Sequence, residues 1–334
     1  MDNKLFIGFD TSNYTTSLGI CDINGNVLAN LKCPLPVSEG QRGLRQSEAV
    51  FSHIKNFPVI AGLLRDFTSS LNGDFEYVAA GVSVTPRSTE GSYMPCFLTG
   101  IAVAESVCAF LDIPLYKTSH QVGHIIAAAS SALRDSDKIL EDLLKNEFLA
   151  FHVSGGTTDL LYVKPDSDNI LSIERIGGSS DANAGQIVDR TGVRLGFPFP
   201  GGARIDAAAC VFDGKIKGIV PSVKGLDFNL SGLENIAEKM IVNGKGENEV
   251  SAYVLEYIAK SIEKSISCAF DLYGNLPVVF AGGVMSSRYI KNRLEKYGMF
   301  SAAEFSSDNA AGVALSSLLM HKLKHQSFSE NGEI

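Results

Sequence analysis

Apolar stretches of five or six residues, each followed by a short polar segment, open the chain and predict strands joined by turns. Residues 4–9 (KLFIGF) predict a buried strand. Alternating apolar and polar positions from Thr16 to Ile20, an Asn-Gly pair at 24–25 and a further apolar run to Leu31 follow. Because an Asn-Gly pair between such segments is a strong hairpin signal, this region is predicted to form a meander.

A similar strand–loop–strand pattern occurs again about half the chain length later. Residues 148–153 (FLAFHV) predict a second apolar strand, a small polar loop follows at 154–157, and residues 160–163 are again apolar. The loop at 10–13 holds the equivalent place in the first block. One repeat at this offset favours a duplicated unit of hairpin and helices. Chance similarity of two apolar strands is the alternative, because short apolar strands are common.

The remaining apolar segments predict both strands and helices in each half of the chain. Further strands are expected at 76–84, 114–117 and 277–281. Helices are expected at 97–111, 120–134, 181–194, 203–212, 231–242, 248–272, 286–297 and 310–324. A polar stretch at 135–147 predicts a solvated connection, and residues 326–334 predict a loose tail. Since strands and helices are mixed in both halves without a long linker, the fold class is α/β with two packed lobes.

Length and composition narrow the possible functions. A chain of 334 residues exceeds what one core usually organises, so two domains are expected. The net charge of −8 argues against strong nucleic-acid binding by the chain alone, and a basic patch or basic partner would be needed to recruit RNA. The six cysteines form no C-x-x-C pair, which predicts reduced thiols. Without a long apolar run or a signal-peptide pattern, residence in the cytoplasm and no membrane contact are expected.

Two loops that follow strands have the residue types of phosphate-binding turns. In residues 154–158 (SGGTT), glycines and small side chains leave backbone N–H groups able to converge on phosphate oxygens. Asp10 and Ser12 lie in the other loop, where a carboxylate usually serves a metal-bound water. Either loop alone could be an ordinary turn, but two in equivalent places favour a functional pair.

A histidine pair suggests a metal site. His120 and His124 are four residues apart, so both imidazoles lie on one face of the predicted helix. Polar surface or capping roles are the alternative. Gln121 stands where zinc proteases carry a glutamate base, which disfavours that chemistry. Asp308 could complete a His-His-Asp site, although its place before the helix at 310–324 favours an N-cap.

Two further segments are compatible with a nucleotide site. Gly282-Gly283 lies between a predicted strand and a predicted helix, where a flat ring or a ribose could approach the backbone closely. Asp189, Gly202 and Asp206 lie near a sharp Pro-Gly turn. Their carboxylates suit either ribose hydroxyls or a salt bridge, and the local sequence favours the structural role.

Taken in order, these segments resemble the family that makes the N6-threonylcarbamoyl modification of adenosine 37 in tRNA, formerly called the M22 glycoproteases. The similarity runs from Phe6 to the last helix. Its most specific parts are His120-x-x-x-His124, Val153-Ser154-Gly155-Gly156, Phe228-Asn229-Leu230-Ser231-Gly232-Leu233, Ala281-Gly282-Gly283-Val284 and Ser307-Asp308-Asn309-Ala310-Ala311. The resemblance implies an actin/Hsp70-like (ASKHA) fold, in which a duplicated RNase H-like core forms two lobes with a central cleft.

The resemblance also implies domain limits and site residues. Residues 1–118 plus 309–325 would form the N-terminal lobe, and residues 119–308 the C-terminal lobe. His120, His124 and Asp308 would hold one divalent metal, iron or zinc. The residues that would face ATP or threonylcarbamoyl-adenylate are Asp10, Ser12, Val153, Ser154, Gly155, Gly156, Thr157, Asp189, Gly202, Asp206, Gly282, Gly283 and Ser287. Magnesium is a further candidate ion.

The implied reaction moves a threonylcarbamoyl group from its adenylate to N6 of adenosine 37 of tRNA. It would require the enzyme that makes the adenylate and smaller accessory subunits of the same complex. The acidic charge of the chain fits tRNA binding that is shared with such partners.

Several positions depart from the family pattern. Residues 13–15 replace a Cys-Asp-Glu run, Thr157 replaces a histidine, and Ser287 replaces an asparagine. Residues 85–92 stand where a glycine-rich stretch is expected. Two alternatives therefore remain: a nucleotide-binding paralogue that transfers nothing, and an ATP-dependent carbamoyl transferase or small-molecule kinase on the same fold.

Overall fold

The structure, a computed structural model, describes residues 4–12, 14–36, 44–71, 73–134, 136, 139–305 and 310–330. Its strands are β1 (Lys4–Asp10), β2 (Thr15–Asp22), β3 (Val27–Pro34), β4 (Glu76–Thr85), β5 (Leu115–Ser119), β6 (Phe148–Val153), β7 (Thr158–Asp166), β8 (Ile170–Ser179), β9 (Ser222–Lys224), β10 (Asp227–Asn229), β11 (Val278–Ala281) and β12 (Met299–Phe300). Its α-helices are α1 (Gln46–Ser70), α2 (Phe97–Leu111), α3 (His120–Leu133), α4 (Leu140–Leu144), α5 (Ala184–Arg194), α6 (Gly202–Cys210), α7 (Ser231–Val242), α8 (Glu247–Tyr273), α9 (Arg288–Leu294) and α10 (Ala311–Glu330).

The chain divides into two units. The first comprises residues 1–127, 166–172 and 308–334, and the second comprises residues 128–165 and 173–307.

The first unit contains a five-stranded sheet in the order β3-β2-β1-β4-β5. β1, β2 and β3 are antiparallel neighbours, as the predicted meander requires. β4 pairs parallel to β1, and β5 parallel to β4. The turn between β2 and β3 contains Gly25 at a φ of 82°, a conformation that glycine adopts without strain.

One face of this sheet is covered by α1 and α2. Alternate residues of a strand point to opposite faces, and Leu5, Ile7 and Phe9 of β1 are buried together. Ile60 of α1 and Ala104 of α2 belong to the same buried cluster. The odd-numbered positions of β1 therefore point towards this pair of helices.

The opposite face carries a row of glycines beneath α10. Gly19, Gly8 and Gly81 are register partners on β2, β1 and β4. A Cβ atom at Gly8 or Gly19 would overlap the backbone of α10, and at Gly81 it would lie 2.6 Å from the carbonyl oxygen of Val313. Because glycine lacks this atom, the helix backbone rests directly on the strands.

α3 also packs against α10 through glycine, with no side chain between the two backbones. A Cβ atom at Gly312 of α10 would overlap the carbonyl oxygen of Gly123 in α3. Gly123 lies between His120 and His124. This helix contact therefore fixes the turn of α3 that carries both imidazoles.

α1 is the longest element that the sequence pattern did not predict. Its buried residues Ala49, His53 and Ile60 have helical spacing. Two polar side chains, His53 and Asn56, interrupt the apolar stripe, and Pro58 lies inside the helix. The sequence pattern missed the helix because its inner face is only partly apolar.

The second unit contains a seven-stranded sheet in the order β12-β11-β6-β7-β8-β10-β9. The run β8-β7-β6-β11-β12 repeats the order β3-β2-β1-β4-β5 of the first unit. β6 and β7 are antiparallel, while β11 pairs parallel to β6 and to β12. The predicted duplication is therefore confirmed, with β6 in the place of β1.

The core of the second unit lies on one face of β6. Leu149, Phe151 and Val153 are buried in a cluster with Ile258 and Ile262 of α8 and with residues of α5, α6 and α7. His152 points to the other face, because neighbouring residues of a strand alternate.

Some element ends differ from the sequence-based expectation. The helix expected at 286–297 is a 3-10 turn at Gly283–Ser286 followed by α9, because Ser287 caps α9 by accepting a hydrogen bond from the Ile290 amide. α10 continues to Glu330 and enters the expected tail. The expected connection at 135–147 contains α4.

All six cysteines are free, and Cys21, Cys96 and Cys108 are buried. Within the described parts of the chain, no helix has the length and apolar character needed to cross a membrane.

The α3–α10 contact predicts a strong penalty for a small substitution. Gly312→Ala should destabilise the protein by about 2 kcal/mol or more, because the new methyl group has no space. Gly62→Ala in α1 is the matched control, since a Cβ atom there meets nothing within 4 Å. It should stabilise by up to about 1 kcal/mol through helix propensity. Urea denaturation measures both, and similar midpoints for the two variants would contradict the contact.

Candidate functional site

A buried carboxylate ends β1. Asp10 has no exposed surface. Its Oδ2 accepts a hydrogen bond from Ser12 Oγ at 2.9 Å, and its Oδ1 accepts one from Ser83 Oγ. His120 Nδ1 lies 3.0 Å from Oδ2. Donors from β4, from α3 and from the loop after β1 thus compensate the burial of this carboxylate.

The two histidines of α3 face each other. His120 Nδ1 donates to Asp10, so the neutral imidazole of His120 bears a lone pair on Nε2. His124 Nε2 lies 2.9 Å from that atom. The carboxylate therefore orients one imidazole while two ring nitrogens converge, which is the arrangement of histidine ligands supported by a carboxylate.

The predicted third ligand cannot be placed, because Asp308 lies outside the described residues. So does Asn13 of the first loop. Among the residues that the structure describes, no group of three or more His, Cys, Asp or Glu side chains could hold a metal ion. The described part of the metal site is thus the His120–His124 pair with Asp10 behind it.

A polar network joins β2 and β3 to α1. Thr16 Oγ1 lies 2.9 Å from His53 Nδ1 and accepts a hydrogen bond from Asn56 Nδ2 at 3.1 Å. Asn56 also donates to the carbonyl of Cys33 at 3.0 Å. Burial lowers the pKa of His53 to about 4, although the negative charge of Asp10 acts in the opposite direction. His53 is therefore neutral at pH 7.

The second unit contains a cavity of about 580 Å³. Six of the predicted nucleotide-site residues line it, namely Gly155, Asp189, Gly202, Asp206, Gly283 and Ser287. Gly185, Val188, Pro200, Ala203, Leu255, Val284, Ser286 and Arg288 complete the wall. Most of its lining residues are apolar or glycine, and its charged groups are two carboxylates and one guanidinium.

Asp206 connects α6 to the start of α9. Its Oδ1 accepts hydrogen bonds from Ser287 Oγ at 2.6 Å and from the Tyr289 amide at 3.1 Å. Arg288 Nε lies 3.4 Å from Oδ2. The other cavity carboxylate, Asp189, accepts from the Gly201 amide at 2.8 Å. Both carboxylates are thus held in fixed positions at the cavity wall.

A second carboxylate supports the same end of α9. Glu256 of α8 is largely buried and accepts hydrogen bonds from Tyr289 Oη at 3.1 Å and Arg293 Nε at 3.0 Å. Burial raises the pKa of Tyr289, and the charge of Glu256 raises it further. The phenol therefore remains a hydrogen-bond donor, and α9 is anchored to α8.

The loop after β6 forms a tight turn. Ser154 Oγ accepts from the amides of Gly156 and Thr157, both at 3.2 Å. Gly185 and Gly282 allow close approach to this segment, since Cβ atoms there would overlap the backbone at Ser154–Gly155 and at Val153. Backbone from α5 and from the end of β11 thus holds the loop on two sides.

The predicted site residues form two groups. Asp10 and Ser12 belong to the first unit with His120 and His124, whereas the cavity residues belong to the second. Val153, Ser154, Gly156, Thr157 and Gly282 surround the tight turn beside Gly155 rather than lining the cavity.

Sequence reasoning missed two residues with clear contacts. Ser83 follows the apolar part of β4, and its position beside Asp10 results from the parallel pairing of β1 and β4. Arg288 opens α9 at the cavity wall. The strand–Gly-Gly–helix pattern before Arg288 was the signal that could have drawn attention to it.

A model of the family described as tRNA N6-adenosine threonylcarbamoyltransferase matches residues 51–315, which is more than half of the chain. The chain belongs to the tRNA N6-adenosine threonylcarbamoyltransferase family. This confirms the family resemblance of the sequence motifs.

Relatives with this family name align with nearly the whole length of the chain. A tRNA N6-adenosine threonylcarbamoyltransferase of Neorickettsia sennetsu is 25% identical over 329 residues, covering 94% of this chain and 93% of the relative. One from Thermus thermophilus is 27% identical over 334 residues, covering 95% and 93%. Among solved structures, xylulose kinase from Rhodospirillum rubrum superposes with a TM-score of 0.53 at 11% identity, covering 95% and 90%. The kinase likeness supports the predicted actin/Hsp70-like fold.

Members of the threonylcarbamoyltransferase family were expected to carry a histidine where this chain has Thr157. Thr157 Oγ1 lies 3.0 Å from Ser154 Oγ and 3.3 Å from His152 Nδ1. The position that departs from the family pattern, Thr157, thus belongs to the hydrogen-bonded turn. The imidazole of His152, on the preceding strand, contacts this turn.

The burial of His53 predicts a dependence of stability on pH. Unfolding lets the imidazole take up a proton below its ordinary pKa of 6.5, whereas the folded protein resists protonation until about pH 4. Stability should therefore fall as the pH falls from about 6.5 to 4, by up to about 1.4 kcal/mol per pH unit for this proton.

His53→Asn should reduce this slope, whatever its effect on absolute stability. His325→Asn, which removes an exposed imidazole of α10, is the control and should change the slope less, since the charge of His325 only adds to the lowering of the pKa of His321. Urea denaturation at several pH values measures both. An unchanged slope in His53→Asn would show that His53 is not held neutral.

Proposed function

We propose that this chain transfers the threonylcarbamoyl group of threonylcarbamoyl-adenylate to N6 of adenosine 37 of tRNA. One observation carries the proposal beyond family membership: Gly155, Asp206 and Gly283 come together on one cavity. The sequence motifs that contain them lie far apart along the chain, and their convergence supports a nucleotide-sized ligand.

The adenosine portion would bind in this cavity. Asp189 and Asp206 present carboxylate oxygens suited to ribose hydroxyls, as charged acceptors make strong hydrogen bonds. Gly202 and Gly283 have open space where a side chain would begin, since Cβ atoms there meet nothing within 4 Å. A flat base could therefore approach the backbone at those positions.

The phosphate of the adenylate would face the tight turn at 154–157. Gly155 lies on the cavity wall, in a turn that neighbouring backbone holds from two sides. The amides of Gly156 and Thr157 already donate to Ser154 Oγ, so the Gly155 N–H would be the donor that this turn offers to an anion. Arg288, on the same wall, could add a positive charge.

The chemical step is an acyl transfer. The adenine N6 nitrogen attacks the carbamoyl carbonyl carbon, a C–N bond forms, and the C–O bond to phosphate breaks with release of AMP. N6 gives up one proton. The role of the chain would be to hold the adenylate still and in line with the incoming amine, because fixed orientation supplies much of the rate enhancement of such reactions.

His120 and His124 would hold the divalent metal, which is iron or zinc in our proposal. The donor set fits: two imidazole nitrogens converge, and Asp10 orients one of them. When bound, the ion would supply Lewis-acid polarisation and a template for the substrate. Asp308 is the proposed third ligand, and magnesium could accompany a bound nucleotide.

The proposed substrate requires partners. A net charge of −8 disfavours tight tRNA binding by the chain alone, so accessory proteins would share the tRNA. A separate enzyme would make the adenylate. We place the reaction in the cytoplasm, where tRNA is available.

Removal of one cavity charge should weaken adenylate use. Asp206→Asn keeps the shape of the side chain but loses its charge, so the KM for threonylcarbamoyl-adenylate should rise about 10- to 100-fold. The measurement is formation of N6-threonylcarbamoyladenosine on tRNA in a reconstituted reaction. Asp271→Asn, an exposed change on α8, is the matched control.

Three results, from this assay and from separate binding and kinase assays, would count against the proposal. An Asp206→Asn variant with the KM of the parent would place the ribose elsewhere. Nucleotide binding without any product from the parent would favour the non-transferring alternative. Phosphorylation of sugars by the parent would favour the kinase alternative.

The metal proposal has its own test. Purified protein should contain close to one iron or zinc per chain by elemental analysis. His124→Ala should lose this metal, since one of two described imidazole ligands is gone. His325→Ala removes an exposed histidine and should retain it. Full occupancy in His124→Ala would exclude the site.

A further inference from the structure

The turn after β6 contains a short chain of hydrogen-bonding groups that ends on an imidazole. Ser154 Oγ contacts the amides of Gly156 and Thr157 at 3.2 Å and Thr157 Oγ1 at 3.0 Å. Thr157 Oγ1 in turn lies 3.3 Å from Nδ1 of His152, the penultimate residue of β6. The side chains of Ser154, Thr157 and His152 are therefore linked in series.

Donor and acceptor counting fixes the direction of the hydrogen bond between Ser154 and Thr157. A serine oxygen has two lone pairs and one proton. Two backbone amides occupy both lone pairs of Ser154 Oγ, so its proton is donated to Thr157 Oγ1. The contact between Thr157 Oγ1 and His152 Nδ1 has a direction that depends on the His152 tautomer. If Thr157 is the donor, a neutral His152 carries its own proton on Nε2.

The position of His152 explains how it reaches the turn. It lies on the face of β6 that points away from the core formed by Leu149, Phe151 and Val153. Its cross-strand partner on β7 is Asp159, which is paired with Arg175 at 2.7 Å. His152 is half-buried, so its ring is restrained without being sealed from ligands.

We propose that His152 is a positioning residue for the phosphate of the bound adenylate. By accepting the Thr157 proton it fixes both hydroxyls, and the fixed Ser154 oxygen holds the turn in one conformation. The Gly155 amide, in the part of the turn on the cavity wall, is then preorganised for a phosphate ester, which reduces the ordering cost of binding. The inference rests on the proposed function, because it assumes that this turn faces phosphate.

The proposal predicts a selective loss of phosphate recognition. His152→Leu should weaken AMP binding about 3- to 10-fold, the effect of one neutral hydrogen bond. Adenosine, which lacks the phosphate, should bind with unchanged affinity. His152→Asn places an acceptor near the position of Nδ1 and should restore AMP binding. Titration calorimetry with AMP and adenosine measures each affinity.

A double-mutant cycle tests whether His152 acts through Thr157. Thr157→Val removes the hydroxyl at constant shape and should lower AMP affinity as much as His152→Leu does. The combined variant should show no further loss, because the link is already broken. Additive losses, or equal loss of adenosine binding in His152→Leu, would overturn the positioning role.

The tautomer of His152 gives a readout that needs no ligand. Nitrogen chemical shifts of the imidazole at neutral pH should report the Nε2–H form in the parent protein and a mixture of forms in Thr157→Val. An Nδ1–H form in the parent would contradict the proposed direction of the chain. If the parent bound neither AMP nor adenosine, the proposed function would fail, and this measurement would still decide the role of His152.

Discussion

The backbone-to-backbone contact of α10 with the first sheet is the constraint on which the histidine pair depends. Gly19, Gly8 and Gly81 leave no side chain between the strands and the helix. Gly312 extends the same close packing to Gly123 in α3. Since interiors are close-packed and deform little, these contacts set the height of α3 above the sheet. The position of His120 against Asp10 is a consequence of that height.

The duplicated core supports different chemistry in its two copies. β1 and β6 hold equivalent places in their sheets, and each is followed by a short polar loop before an antiparallel neighbour. The first strand ends in Asp10, a carboxylate held by side-chain donors. The second leads into a glycine-containing turn whose backbone amides face a serine oxygen. One framework thus ends in a buried carboxylate in one copy and in a hydrogen-bonded glycine turn in the other.

The sequence predicted the features that depend on local pattern. The strand–loop–strand blocks, the i, i+4 histidines and the Gly-Gly segment were readable because their signal lies within a few residues. α1 was missed because His53 and Asn56 interrupt its apolar face. Both side chains form hydrogen bonds with Thr16. Ser83 was missed because only the pairing of β1 with β4 brings it to Asp10. A contact that depends on how distant strands pair cannot be predicted from the local sequence around either residue.

The proposed transferase activity is best tested by measuring N6-threonylcarbamoyladenosine in cellular tRNA. The gene for this chain would replace the threonylcarbamoyltransferase of a cell that retains the other components of the pathway, and tRNA nucleosides would be quantified by mass spectrometry. The modified nucleoside should be restored, and a chain carrying Asp206→Asn should restore less of it. Absence of the nucleoside in cells that contain the folded parent protein would contradict the proposed transferase activity.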